Sequence, residues 1–357
     1  MEITTRRAVF KSWERVALAL FCSISIFAIG ISVLVISVGQ ARQGFDTKVD
    51  GLYGLLSQAL ASSEAALTSF AGVYQASDGL SSTQFTLMSK RLRASYPQVQ
   101  MSVYAEAIGV DERADFEAEM KANGFPDFSV KPVGADAASL NGRHLVLSYL
   151  DEMTPASAHL LGSDLATAVE LGSALRHAVD DAAVVALSTD RFTTQGRNWV
   201  LLKSIYYGNI VPGSVRERRR QLQGLLIFVL DLEQLTQLGA ERYPDLGWRL
   251  FARGGGVGPS QVLFEKHSTR RQTVRLPAES QNAAFSASRY FRVGRQSLAL
   301  EVQAQPALVG IYVRAAATML ILGVVAFAVI VAMRSRRVAR LEQDEAREAL
   351  YLEREKA

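Results

Sequence analysis

Cysteine is nearly absent. Cys22 is the only one and lies inside an apolar run, so an exported globular part would have no disulfide and would depend on packing alone. Histidine is also scarce. His144, His159, His177 and His267 are too scattered for a metal motif, so no metal site is expected. No G-x-S-x-G elbow occurs, and no Ser–His–Asp triad stands out among the many serines. Gly254-Gly255-Gly256-Val257-Gly258 superficially looks like a phosphate loop, but it lacks the following Lys-Ser/Thr and reads as a flexible hairpin. Asp115, Glu117 and Glu119 read as the charged face of a helix rather than paired acids. These absences argue against catalytic function, and no cofactor is expected.

Charge is also missing from two long stretches. Val16–Val38 has 23 residues and Ala315–Met333 has 19, none of them charged. At about 1.5 Å per helical residue they reach roughly 34 and 28 Å, enough to cross a hydrocarbon core of about 30 Å. The first is longer than a signal-peptide core and no A-x-A site follows it, so it reads as an uncleaved anchor. Arg6, Arg7, Lys11 and Arg15 precede the first run, and Arg334, Arg336, Arg337 and Arg340 follow the second. Both termini are therefore expected in the cytoplasm, with Gly39–Arg314 outside the plasma membrane. Arg314 is placed to snorkel to the headgroups. Net charge is +4, but many of the cations flank the runs. They imply topology and anionic lipid headgroups, not a nucleic-acid partner.

The exported part opens with Leu52, Leu55, Leu56, Leu60, Leu67, Phe70 and Tyr74 at three- and four-residue spacing, with no proline over Val49–Gln75. That is a helix whose apolar stripe packs on its own domain, on a second copy, or on both. Ser81 with Gln84 forms a capping box for a helix to Ala94. Val99, Met101, Val103 and Ala105 alternate as a strand. Asp111 is expected to cap a helix over Glu112–Ala122 that stops at Asn123-Gly124. Strands are expected near Phe128–Lys131, His144–Tyr149, Ala183–Ser188, Trp199–Tyr206 and Gly224–Leu230. Helices are expected over Leu165–Val179 and within DLEQLTQLGA, with Arg216–Arg220 a solvated loop face. WRLFAR, QVLFEK, TRRQTVRL and SLALEVQAQ read as β-strands. A composition change after Tyr243-Pro244 marks a second subdomain.

The fold class is mixed α/β (α+β). Its parts are an N-terminal segment 1–15, a membrane helix 16–38, a stalk helix 39–75, a membrane-distal domain 76–240, a β-rich subdomain 241–313, a second membrane helix 314–333 and a cytoplasmic helix 334–357. Two membrane helices around an outer domain are the layout of a receptor.

Four stretches carry a family likeness: RLRASYPQVQMSVYAEAIGVDERADFEAEMKANGFPDFSV, LLGSDLATAVELGSALRHAVDD, NWVLLKSIYYG and GSVRERRRQLQGLLIFVLDLEQL. In this order they resemble a CHASE domain, the extracellular sensory module of many membrane histidine kinases and cyclases and of plant cytokinin receptors. The likeness covers about residues 45–235 and implies a stalk helix followed by two PAS-like subdomains, with a small-molecule ligand in the membrane-distal one. Plant receptors hold adenine with an aspartate early in the helix matching Leu165–Val179. Here the nearest positions are Glu170 and Leu171, and Thr194 and Leu202 fall where the family lines its pocket. An adenine-type or other small molecule is the implied ligand, and the missing aspartate argues against cytokinin itself. The stripe Leu52–Leu56–Leu60–Leu67, continuous with the first span, predicts a homodimer through the membrane-emergent helices, and the likeness implies a downstream kinase or cyclase module. Arg334–Ala357 holds no catalytic output, so no enzyme activity is expected of this chain. The alternative is an exported scaffold or assembly subunit that binds a protein or envelope polymer.

Overall fold

The computed structural model describes residues 2–77, 79–134, 142–151, 154, 157–192, 198–208, 210–253, 261–266, 285–304 and 308–356. Along the chain come α1 (Glu2–Ala76), α2 (Ser82–Ser95), β1 (Val99–Gly109), α3 (Arg113–Ala122), β2 (Lys131–Pro132), β3 (Arg143–Leu150) and β4 (Ser163–Asp164). Then follow α4 (Gly172–Asp181), β5 (Val185–Thr189), β6 (Asn198–Tyr206), α5 (Val215–Arg220), β7 (Leu222–Leu230) and α6 (Leu232–Arg242). The last elements are β8 (Gly247–Arg253), β9 (Gln261–Lys266), β10 (Phe285–Val293), β11 (Gln296–Ala304) and α7 (Leu308–Lys356).

Two compact units result. One comprises Met1–Asp46, Asn282–Phe285 and Gln305–Ala357; the other comprises Thr47–Gln281 and Ser286–Ala304. In the first, the apolar runs form helices long and apolar enough to cross a membrane. Phe21, Ile24, Phe27, Leu320, Val324 and Phe327 all point outward there, which suits a lipid surround. A Cβ on Gly30 would lie 2.6 Å from the Met319 side chain, so α1 and α7 approach closely at this glycine. Phe45 and Phe285 meet at 5.7 Å, and the Arg42 guanidinium lies 5.5 Å from both rings.

The second unit holds two sheets. The larger has strand order β2-β4-β3-β1-β7-β6-β5, antiparallel except for the short β2–β4 pair. The middle one of its five long strands is β7, whose residues LQGLLIFVL are all buried. A continuous apolar run of this kind suits a strand covered on both faces. One face carries Val103, Ala105, Leu147, Val200, Leu202, Leu225 and Ile227 into a core closed by α4 and the turns before it. The other face receives α1 and α2: Phe70 stacks on Phe85 at 5.3 Å and meets Phe228 at 6.2 Å, while Tyr74 stacks on Tyr104 at 4.3 Å. The smaller sheet, β10-β11-β8-β9, buries Trp248, Leu250, Leu298, Leu300 and Val302. Gly239 of α6 sits where a Cβ would be 2.8 Å from Leu52 and 3.5 Å from Trp248, so the same stripe of α1 serves this sheet as well. The mixed α/β class, the long helix and the two flanking apolar helices stand as expected.

Several local expectations change. The capping box at Ser81 and Gln84 is present, but Asp111 does not cap α3. The position before α3 is Glu112, whose carboxylate reaches back to accept from the Gly109 amide at 2.7 Å. The strand expected over Phe128–Lys131 shrinks to Lys131–Pro132, because Phe128 and Val130 are drawn into a small core with Phe116 and Met120 of α3. Arg216–Arg220 is not a loop: Ser214 and Glu217 make a second capping box that starts α5. β10 was not expected at all. Residues 254–260 and 269–276, read as a hairpin and a strand, lie outside the described residues.

Candidate functional site

Ser163–Asp181 is expected to hold a single helix from Leu165. The structure divides it into two 3-10 turns, Leu165–Thr167 and Val169–Leu171, before α4 begins at Gly172. Asp164 causes the break. It is 2% exposed, and one carboxylate oxygen accepts from the amides of Leu145 at 2.9 Å and Ala166 at 3.0 Å. The other oxygen lies 2.7 Å from His144 Nδ1. Thr167 Oγ1 donates to the Asp164 carbonyl at 2.7 Å and accepts from the Val133 amide at 2.7 Å. Side chains that satisfy backbone groups locally compete with a continuous helix, and here they anchor the turns to β3.

The four candidate residues separate by environment. Leu171 and Leu202 come together: each is 2% exposed, and both belong to the core between the larger sheet and α4. Leu202 stands on β6 opposite Val185 and Ile227. Glu170 turns outward and pairs with Arg191, whose Nη1 also donates to the Val133 carbonyl at 3.4 Å. A pair this exposed contributes about 0–1 kcal/mol and can be traded for a ligand at little cost. Thr194 lies outside the described residues. The arrangement is therefore an apolar floor with a charged rim. Within that floor Ser204 donates to the Ala178 carbonyl at 2.8 Å, and the Tyr206 hydroxyl donates to the Val179 carbonyl at 2.6 Å. Burial raises the Tyr206 pKa. Beside α4, Arg219 grips Asp180 through two bonds of 2.7 and 2.6 Å and holds its carboxyl below the usual range.

Two open clefts lie elsewhere, along α1. One, of about 590 Å³, is lined by Ala65, Ser69, Phe70, Leu87, Met88 and Tyr96. The other, of about 520 Å³, is lined by Gly51, Leu55, Gln58, Gln98, Leu238 and Tyr243.

A titratable cluster on the α1 side of the larger sheet escaped the sequence reading. Glu106 stands on β1 between Val146 and Gly224. Burial first, then the negative charges of Glu119 and Glu112, push its pKa up to about 7. Tyr74, Tyr104 and Tyr149 face it, and burial is the main cause of the raised pKa of each. The signal was present in the sequence as the one charged residue of VQMSVYAEAIG, a strand otherwise suited to burial.

The folded-state pKa of Glu106 lies above its ordinary 4.5, so the stability it permits is complete below pH 4.5 and is lost as pH rises to about 7. Glu106→Gln should match the parent in thermal unfolding near pH 4.5 and melt several degrees higher at pH 8. Equal melting temperatures at pH 8 would show that the carboxylate is not strained.

The CHASE domain family model matches residues 78–264, the stretch from just before α2 into β9. Among solved structures, the chain is similar to an extracellular ligand binding receptor from Desulfohalobium retbaense DSM5692, at 9% identity and a TM-score of 0.38. That match covers 70% of this chain but only 39% of that one. A structure titled methyl-accepting chemotaxis protein X is similar at 10% identity and a TM-score of 0.41, covering 75% of this chain and 98% of that one. A domain of a putative sensory box/GGDEF family protein from Vibrio parahaemolyticus is similar at 11% identity and a TM-score of 0.37, covering 76% and 97%. No curated protein matches. The family match spans more than half of the chain and includes the whole of the larger sheet, helices α2 to α6 and the candidate turns. This protein therefore belongs to the CHASE family, and its central part is an extracellular sensory domain held between two candidate membrane helices.

Proposed function

We propose that the chain is a two-pass membrane sensor of a bacterial plasma membrane. Its outer domain binds a small-molecule ligand and passes the signal through the membrane helices to a kinase or cyclase module, with no reaction of its own. The observation that carries this is a CHASE domain lying between two apolar helices whose flanks toward the chain termini are rich in arginine. A ligand acts here only through its different affinity for two states of the domain. The binding place is the floor and rim around Leu171, Leu202 and Glu170, with Arg191 as the rim partner; Thr194, the fourth residue the likeness implies, lies outside the described residues. A scaffold role draws on one observation: Tyr207, Ile210, Val211 and Val215, near one another in the sequence, are exposed large apolar side chains, Ile210 by 81%.

The full chain in detergent should be screened by thermal shift against adenine-type compounds and other small polar metabolites. A ligand at about 100 times its dissociation constant stabilises by about 2.7 kcal/mol. Glu170→Ala and Arg191→Ala should reduce that shift while leaving the unliganded melting temperature within about a degree. Leu202→Arg is unsuitable for this test, since a buried unpaired charge would unfold the domain. An unchanged shift in both rim variants would place the ligand elsewhere.

Orientation follows from the basic flanks. Reporter fusions at Met1 and Ala357 should read as cytoplasmic and one after Arg216 as exported; an exported C-terminus would overturn the receptor reading.

The dimer uses the outward face of α1, because Leu52, Leu56, Leu60 and Leu67 are already buried inside one chain. With Cys22 replaced by serine, single cysteines at Ala61, Ala65, Thr68 and Gly72 should crosslink in membranes, and those at Leu60 and Leu67 should not. Absence of crosslinks at all six positions would leave the chain a monomer through this helix.

A further inference from the structure

The turn joining β10 to β11 is held unusually tightly. Val293 is buried. Gly294 has φ +54, and a Cβ there would lie 2.2 Å from the Val184 carbonyl oxygen and 2.9 Å from its carbon. Any side chain would be driven into the backbone just before β5, so only glycine lets the turn seat at this depth. The Gly294 amide donates to Glu64 of α1 at 3.0 Å. Next to it, Arg295 pairs with Asp181, the last residue of α4, and His177 Nδ1 lies 3.2 Å from the same carboxylate oxygen. Ala182, which ends α4, has φ 52, a left-handed conformation rare for a residue with a side chain. Its carbonyl accepts from Lys203 of β6 at 2.5 Å, and Lys203 in turn feels the charge of Glu64. Three segments thus close on one turn, α1, α4 and the residues just before β5, and Lys203 of β6 braces the end of α4 beside it.

The position of this turn gives it a role. Helix α4 is ten residues long, about 15 Å. Its N-terminal neighbour is Leu171 in the floor of the candidate site, and its other end is Asp181 at the turn. β11 runs from the turn to Ala304, and α7 begins four residues later at Leu308. We infer that Gly294 and Arg295, held by Glu64, Val184 and Asp181, form a latch through which a displacement of α4 at the candidate site becomes a displacement of β11, the strand that leads to α7. This rests on the sensor reading above. The physical basis is a contiguous set of stiff parts: a short helix, a close-packed turn without side-chain slack, and a paired strand. Gly294, Arg295 and Glu64 are positioning residues that contact no ligand.

The test uses the full chain in lipid nanodiscs, without ligand, with hydrogen exchange followed peptide by peptide. Leu171→Val, or Leu171→Ala if the milder change gives no effect, loosens the site end of α4. With the latch intact it should speed exchange several-fold in α4 and also in β11. In an Arg295→Ala, Glu64→Gln background the same Leu171 change should speed exchange in α4 alone. Exchanging the charges, Asp181→Arg with Arg295→Asp, should restore the effect on β11, which a merely damaged fold would not allow. If β11 ignores the Leu171 change in the parent, or responds equally with the latch broken, the inference is wrong. Because no ligand enters this experiment, an empty ligand screen would count against the sensor reading and leave the latch result standing.

Discussion

The outer domain depends on one stripe of side chains, the apolar face of α1 from Val49 to Tyr74. Val49, Leu52, Leu56, Leu60, Leu67, Phe70 and Tyr74 are all buried in a single chain. Fully burying a large apolar side chain contributes about 1.5–3 kcal/mol, so this helix is a main source of cohesion in a domain without disulfides. Its lower half packs against α6 and the smaller sheet through Leu52, Gly239 and Trp248. Its upper half packs against the larger sheet through Phe70, Phe85 and Phe228. Neither sheet is complete without it. Polar links follow the same line: Asp50 meets Arg289 of β10 at 2.7 Å, Gln98 donates to Ser63 at 2.9 Å, and Glu64 holds the hairpin turn.

The two faces of the larger sheet divide the remaining work. The face toward α1 is aromatic and carries one strained carboxylate, Glu106. The face toward α4 is aliphatic, with its few hydroxyls tied to the C-terminal turn of that helix. The candidate ligand place lies on the second face, where the exposed Glu170–Arg191 pair flanks a chain segment whose next residue, Leu171, enters the apolar core. Opening the floor would expose Leu171 and Leu202 to water, so a ligand that enters must replace the lost apolar contact with its own. The same helix that closes the floor ends at Asp181, against the turn that leads to β11. In the proposed latch, ligand entry and movement of the strand would be coupled through this one helix.

Periodicity made the long elements legible. The stripe of α1, the continuous apolar run of β7 and the two uncharged spans are patterns a single strand or helix must satisfy, whatever surrounds them. The capping box at Ser81 was readable for the same reason: its partners are three residues apart. Where the partners were distant in sequence, the reading failed. Leu165–Val179 has good helical spacing, yet Asp164 bonds to His144, Leu145 and Ala166, and Thr167 bonds to Val133. Those bonds win over the local preference and split the helix. Phe128 and Val130 alternate like a strand, but α3 takes their side chains into its own core.

The candidate residues show the same division. The family likeness, carried by ordered stretches of sequence, selected Glu170, Leu171 and Leu202. It did not reveal that the two leucines are core and the glutamate is paired with Arg191, twenty-one residues away. Sequence alone determined the spans, the basic flanks, the α/β class and the CHASE resemblance, because each rests on composition or on neighbours along the chain. Only the tertiary structure decided which face of α1 is spent inside the chain, why Gly294 must be glycine, and which charge answers Glu170. Those depend on backbones and charges brought together from far apart, and no spacing along the sequence encodes such meetings.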